Sequence, residues 1–312
     1  MRIVFMGTPD FAVPSLQMLI REDYQVVGVF CQPDRPKGRG HQLAVCPVKA
    51  EAINAGIPVF QPMKIRSEEG IAMLKGLQPD LCVTAAFGQI LSKEVLTIPP
   101  YGTINVHASL LPRHRGSAPI HQAIIMDDRE TGVTTMMTNE GIDTGDILMH
   151  ARTRISDSDT AETLTDKLAV LGAEVLMETL TALRNGTLVR KPQDESRFSY
   201  EPKLTKETGR IDWSADGRTI DCLVRGTYPW PGAYTMLKGN IMKVFSVHPI
   251  GGDVQGTDGI IVEADAKKGL IVSCGDGLLE IVELQMPGQK RMSAKSYLLG
   301  HSIEKGTVLG DN

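Results

Sequence analysis

The first half of the chain alternates apolar strand-like runs with helix-like stretches, and this alternation narrows the possible folds more than any other feature. RIVFMG (2–7), QVVGVFCQ (25–32), PVF (58–60), DLCVTAAFG (80–88) and TINVHA (103–108) are near-continuous apolar runs. Between them lie helix-like stretches: one reaching about Arg21 with Pro14 near its start, PVKAEAINAG (47–56) closed by Gly56, a third over 67–77, and APIHQAIIMDD (118–128). Strands apolar on both faces need cover on both faces. The pattern therefore predicts an α/β domain with a parallel sheet between helices.

Two more strand-like runs follow, TGVTTMMT (131–138) and ILMHARTRI (147–155). A long helix is then expected, opened by a capping box of Asp159 and Glu162 and ended at Gly186. Its stripe of Leu164, Leu168, Leu171 and Val175 reads as core packing. Residues 190–207 lose periodicity, carry Pro192 and Pro202, and read as a linker. Beyond them the pattern changes to short β runs separated by Lys-Gly and Gly-Asp-Gly turns. Five closely spaced strands suggest a small barrel, for which the oligonucleotide-binding (OB-like) type is one candidate. A length of 312 residues accommodates two domains. The expected division is 1–189, a linker at 190–207, and 208–312.

Composition bounds the setting. The chain is 42% hydrophobic and 22% charged, as a soluble globular protein is. No apolar run approaches the roughly 18 residues of a membrane helix. Met1 and Arg2 run straight into the first strand, leaving no room for a signal peptide, so a cytoplasmic location with no membrane partner is expected. The five cysteines are widely spaced without a C-x-x-C pair, and Cys31 and Cys82 lie inside apolar runs. They read as buried small hydrophobes, and no metal is expected. A net charge of −4 argues against a general electrostatic hold on nucleic acid, and DNA is not expected as a partner. Local basic clusters remain. The segment 33–47 carries Arg35, Lys37, Arg39 and His41 against one acid, Asp34.

Candidate chemistry collects at the end of the fifth strand. Asn105 and His107 are two apart in INVHA and so face the same side. They lie toward the carboxyl end of a parallel strand, where open α/β sheets form ligand crevices. GIDTGD (141–146) places Asp143 in a glycine-bounded loop that can fold over that crevice. Asp146 is placed almost as well, and pattern alone barely separates the two. Asn, His and Asp together supply an oxyanion donor, an acid/base and a carboxylate to orient it. Each taken singly is more ordinarily a structural polar group or a turn residue. The turn after the first strand reads Gly7-Thr8-Pro9-Asp10-Phe11 and lacks the G-x-G-x-x-G of nicotinamide enzymes.

NVHASLLPRHRGSAPIHQAI followed by GIDTGDIL closely resembles the signature of the folate-dependent formyltransferase family. Within that family the dispersed segments FMGTPDFAVPSL, CQPDRPKGRG, PVKAEA, FGQIL, RIDW and YPWPGAY resemble the members that act on charged initiator methionyl-tRNA. The resemblance implies a Rossmann-like first domain and an OB-like barrel for the second. It implies Asn105, His107 and Asp143 as the catalytic set. It places a folate pocket on Gln89, Ile90, Leu91, Ser109, Leu110, Leu111 and Pro112, with 10-formyltetrahydrofolate as the donor and no metal. Arg35, Lys37, Arg39, Lys290, Arg291 and Lys295 become candidate tRNA contacts, and a monomer is expected. Two positions depart from the family pattern. His114 stands where relatives often carry an aromatic between the arginines, and Phe87 replaces a frequent Tyr. The nearest alternative is a formyltransferase acting on a sugar-nucleotide amine, which can keep a similar second domain. A non-catalytic RNA-binding module would leave the Asn/His/Asp set unexplained.

Overall fold

The computed structural model describes residues 1–37, 42–252 and 257–310, apart from the side chains at 35–37 and 42–43. The chain forms two compact units. One comprises Met1–Pro119, Glu130–Arg154 and Thr165–Glu201; the other comprises Ile120–Arg129, Ile155–Leu164 and Pro202–Asn312. Residues 190–201 thus fall in the first unit.

The first unit is built on a seven-stranded sheet. Its strands are β1 (Arg2–Gly7), β2 (Gln25–Phe30), β3 (Val59–Phe60), β4 (Leu81–Ala85), β5 (Thr103–His107), β6 (Glu130–Met137) and β7 (Ile147–Arg154). Their order is β7-β6-β5-β4-β1-β2-β3. β1 to β5 pair in parallel, while β6 and β7 add an antiparallel hairpin beside β5. β5 is therefore an interior strand, as its apolar run requires. Ile3, Val4, Phe5 and Met6 of β1 are fully buried, as are Leu81, Cys82 and Val83 of β4.

The helices start where local chemistry favours it. Pro14 lies in the first turn of Val13–Arg21, where its missing N–H costs nothing. Ser67 caps Glu68–Gly76 by accepting from Gly70 N at 3.2 Å. The helix Ala161–Arg184 is where expected, but its reciprocal cap is one residue further on than the Asp159–Glu162 box. Thr160 N donates to Thr163 Oγ1 at 3.0 Å and Thr163 N donates to Thr160 Oγ1 at 3.2 Å. Asp159 instead accepts from Ser156 N at 2.8 Å. Leu164, Leu168 and Val175 are buried, and Leu171 is half-buried. At Gly172 an added Cβ would come within 3.0 Å of Val106 Cγ1, so the helix lies close over β5.

The second unit holds β8 (Ala233–Leu237), β9 (Asn240–Pro249), β10 (Ile261–Asp265), β11 (Gly269–Cys274) and β12 (Gly277–Gln285). They pair antiparallel throughout, in the order β8-β9-β12-β11-β10. Lys238 and Gly239 turn β8 into β9 with positive φ at both positions (48° and 76°), as a two-residue hairpin loop demands. Two edges remain, β8 and β10, and the irregular C-terminal tail joins them. Gly310 N donates to Met236 O at 2.9 Å, Leu309 N to Gly259 O at 2.8 Å, and Ile261 N to Thr307 O at 2.9 Å. The sheet closes into a barrel around Val244, Ile261, Leu270, Val272, Ile281 and Leu284, with Leu309 in the same core.

Leu309 is 3% exposed, so closure rests on an apolar anchor as well as on the ladder. Leu309→Ala is expected to lower the stability of the second unit by about 2–4 kcal/mol. The measurement is a denaturant titration followed by the fluorescence of Trp213, which is buried in that core. A shift below about 0.5 kcal/mol, the size of an ordinary surface substitution, would show that the tail does not close the barrel.

Candidate active site

The register of β5 against its neighbours sets the site. Asn105 lies opposite Thr84 of β4 and Met136 of β6, and His107 opposite Thr134 of β6. Thr84 Oγ1 donates to Asn105 Oδ1 at 2.8 Å. With its oxygen so engaged, the Asn105 amide directs its Nδ2 donors elsewhere, and Nδ2 lies 3.5 Å from Asp143 Oδ1. His107 is 6% exposed. Its Nε2 lies 2.9 Å from the carbonyl oxygen of His114. A carbonyl only accepts, so Nε2 carries the proton. The other ring nitrogen, Nδ1, faces Asp143 Oδ1 at 3.7 Å.

Asp143 is set from several sides. Its backbone is left-handed (φ 53°), a conformation that Asp tolerates better than most residues. Its Oδ2 accepts from Gly116 N at 2.9 Å. Gly145 is obligatory in the same loop, since a Cβ there would fall 1.6 Å from Met137 O. Of the two candidate carboxylates, Asp143 faces Asn105 and His107. Asp146 is engaged through its backbone carbonyl, which accepts from Met137 N at 2.9 Å.

The segment after β5 folds back on the strand. Thr134 Oγ1 donates to Ser109 O at 2.7 Å and accepts from Leu111 N at 3.2 Å, and Ser109 Oγ donates to Arg113 O at 2.7 Å. Residues 115–116 then pair in parallel with residues 200–201. Arg115, 3% exposed, donates from Nη1 and Nη2 to Glu195 at 3.0 and 2.7 Å. That guanidinium holds the Glu195 carboxyl below its ordinary range. Arg115 Nε also donates to Gln193 Oε1 at 3.0 Å. Gln193 Nε2 in turn donates to both Asp143 O and Gly145 O at 2.8 Å. Thr84, Thr134, Gln193, Glu195, Ser199 and Glu201 were not singled out in the sequence. The last four sit in a stretch without periodicity, and nothing in their spacing signals a partner.

Among the residues assigned to a folate pocket, Gln89 is committed at both ends of its amide. Oε1 accepts from Ile65 N at 2.6 Å, and Nε2 donates to Pro62 O at 3.1 Å. It shapes its loop rather than offering a free amide. Ile90 is 66% exposed, while Leu91 beside it is buried. Ser109 and Leu111 are buried, Leu110 and Pro112 half-buried. The buried Phe87 carbonyl accepts from Gln32 Nε2 at 3.2 Å, tying the loops after β2 and β4 together.

The basic candidates fall in two places. Arg35–Lys37 pairs antiparallel with Gln42–Ala44, so Arg35 and Lys37 stand on a short hairpin. Their side chains lie outside the described residues, as do Arg39 and His41 entirely. The segment's one acid, Asp34, is paired to Lys49, and this pairing together with Gln61 Nε2 at 3.0 Å holds its carboxyl low. In the second unit Lys290 is exposed. Arg291 pairs with Glu283 and lies over the rings of Phe245 (4.6 Å) and Tyr228 (5.5 Å). Lys295 Nζ is 3.5 Å from Glu280.

Thiols are no part of this arrangement: burial raises Cys31 and pushes Cys82 up to about 12. Among the described residues no group of three His, Cys, Asp or Glu side chains is placed to hold a metal. No helix among them is long and apolar enough to cross a membrane.

The family descriptions "Formyl transferase" and "Formyl transferase, C-terminal domain" match residues 1–180 and 203–302. A protein of Ruminiclostridium cellulolyticum named methionyl-tRNA formyltransferase is 50% identical over 312 residues, covering 99% of this chain and all of that one. One of the same name from Acetivibrio thermocellus is 51% identical over 311 residues, again covering 99% and 100%. Solved structures share the fold at lower identity. The sugar 3N-formyl transferase WlaRD superposes with a TM-score of 0.66 at 18% identity, covering 93% of this chain and 99% of that one. HypX from Aquifex aeolicus in complex with tetrahydrofolic acid gives 0.63 at 18%, covering 96% and 47%. With both matched segments in one polypeptide and half of its residues shared end to end with such relatives, the chain belongs to the formyl transferase family.

Proposed function

We propose that this chain transfers the formyl group of 10-formyltetrahydrofolate to the α-amino group of charged initiator methionyl-tRNA, and so serves translation initiation. The observation that carries the reading is identity of about half over the whole length with proteins bearing that name. The sugar-nucleotide reading has only the shared fold behind it, at 18% identity.

The geometry supports the chemistry as follows. An α-amino group has a pKa of about 8, so part of it is neutral and nucleophilic at pH 7. As it attacks the formyl carbon, negative charge develops on the formyl oxygen. Asn105 Nδ2 would donate to that oxygen, since Thr84 already occupies the amide's acceptor. His107 keeps its Nε2 proton on the His114 carbonyl, which leaves Nδ1 to take the proton the amine loses as its bond to the formyl carbon forms and to give it to the folate nitrogen as that nitrogen's bond to the formyl carbon breaks, releasing tetrahydrofolate. Asp143, 3.7 Å from Nδ1, would stabilise the imidazolium once it forms. The exposed Ile90 and the 109–112 segment would line the folate side. The segment bearing Arg35, Lys37 and Arg39 would meet the tRNA acceptor end, and Lys290, Arg291 and Lys295 its phosphates. Unpaired ends are what RNA readers favour. The protein is expected to act as a monomer.

Incubating the protein with formyl-folate and several amines, charged initiator tRNA and an amino-sugar nucleotide among them, tests the reading. Formylation of the sugar alone would overturn it. Asn105→Ala, His107→Ala and Asp143→Ala should each lower turnover by about 100-fold or more in single-turnover assays with the fold intact by circular dichroism. Asp146→Ala should cost far less, and the reverse ranking would move the carboxylate role to Asp146.

Arg39→Ala is expected to weaken tRNA formylation strongly while leaving folate affinity unchanged. Lys37→Ala should cost less and flatten the salt dependence of tRNA binding by about one phosphate contact. Parental rates for both across a salt series would remove this segment from tRNA recognition.

A further inference from the structure

The carbonyl that holds the His107 proton belongs to a residue with an unusual set of restraints. His114 is 3% exposed and left-handed (φ 55°), a conformation unfavourable for any residue with a Cβ. Left to itself it would relax toward the right-handed region and swing its carbonyl away. Residues 199–201 hold it in place. Ser199 Oγ accepts from His114 N at 2.8 Å, and Ser199 O accepts from Arg115 N at 2.9 Å. The His114 ring places Nδ1 2.9 Å from Glu201 Oε1, with both side chains buried. Ser199 Oγ donates to that same carboxylate oxygen at 3.0 Å. Glu201 O accepts from Ser117 N at 3.1 Å, and its approach is so close that a Cβ on Gly116 would fall 2.3 Å from it.

The His114 carbonyl and the Asp143 carboxylate compete for the one proton of neutral His107. The first draws it to Nε2 at 2.9 Å; the second, 3.7 Å from Nδ1, would draw it there. With the proton on Nδ1, that nitrogen could not take another at the reacting atoms. We propose that Glu201 and Ser199 are positioning residues for formyl transfer: by fixing the His114 carbonyl they keep the His107 proton on Nε2 and leave Nδ1 free to act. The inference rests on the formyl-transfer reading for its consequence in turnover, but its structural half stands apart. Residues 199–201 lie outside both family-matched segments, and His114 stands where the family resemblance leads one to expect an aromatic.

The test uses the full chain with 15N-labelled imidazoles, His107 being assigned by the signals lost in His107→Gln. At a pH where His107 is neutral, the wild type should show a protonated Nε2 and an unprotonated Nδ1. Glu201→Ala should shift this toward a mixture with protonated Nδ1. It should also lower kcat by about 10-fold or more, with KM for the formyl-folate within about 2-fold. Glu201→Gln keeps an acceptor oxygen and should recover to within about 3-fold of wild type. Ser199→Ala, a smaller excision that covers the case in which Glu201→Ala does not fold, should give an intermediate loss and a partial tautomer shift. An unchanged His107 spectrum in the alanine variants, an unchanged kcat, or a Glu201→Gln variant as impaired as Glu201→Ala would each overturn the proposal. The tautomer measurement needs no substrate. A wild type that formylates no amine would therefore sink the functional reading while leaving the spectra to decide the positioning.

Discussion

A backbone carbonyl can only accept a hydrogen bond, and that property of the His114 oxygen organises the candidate site. It commits His107 to one tautomer, with the proton on Nε2 and an unprotonated Nδ1 facing Asp143. The Thr84 hydroxyl does the same for Asn105 by engaging the amide oxygen and aiming the donor end inward. Both restraints come from groups outside the Asn105, His107 and Asp143 set. Asn105 and His107 arrive without strain, on the regular interior strand β5, while the strain is carried by His114 and Asp143 in left-handed backbone. Such conformations persist only where several contacts hold them, and here each residue has at least two.

The chain is acidic overall, so the proposed contact with a polyanion depends on where its carboxylates are already paired. Asp34 is absorbed by Lys49 and Gln61, so the segment that carries Arg35, Lys37 and Arg39 has its one carboxylate already paired. Arg291 presents a different case. It is paired with Glu283 and lies over Tyr228 and Phe245, so its charge is partly compensated and its plane already occupied. As a phosphate contact it would have to exchange a carboxylate for a phosphate, a smaller gain than an unpaired cation makes.

The parallel sheet was legible because its strands are apolar on both faces, and the register of Asn105 and His107 followed from the two-residue spacing on one strand. The carboxylate was harder. Asp143 and Asp146 look alike in GIDTGD; what separates them is the left-handed backbone of the first and the Gly116 N–H that meets it, neither visible in spacing. The helix cap falls one residue later because the Thr160 and Thr163 hydroxyls accept from each other's backbone N–H groups, the exchange expected of Asp159 and Glu162. The barrel was expected from its five short strands, but the segment that closes it was not legible. The segment that joins its edges, 307–310, has no strand periodicity, and it contributes three backbone hydrogen bonds and one leucine.

The least periodic part of the chain holds most of the restraints on the most regular part, and this has a physical reason. A strand places side chains at fixed two-residue intervals and has no freedom left to adjust a ring nitrogen or an amide by fractions of an ångström. That adjustment must come from backbone and side chains free to take whatever conformation the contact needs. Gln193 can reach two carbonyls of the Asp143 loop because no ladder dictates where residues 192–199 run, and the two-residue ladder of 200–201 with 115–116 then sets Glu201 beside the His114 ring. Residues 190–201 read as a linker when only their composition is considered. Counted by what their side chains hold, they belong with Asn105, His107 and Asp143. A unit bounded at residue 189 would keep all three candidate side chains and lose the groups that restrain two of them.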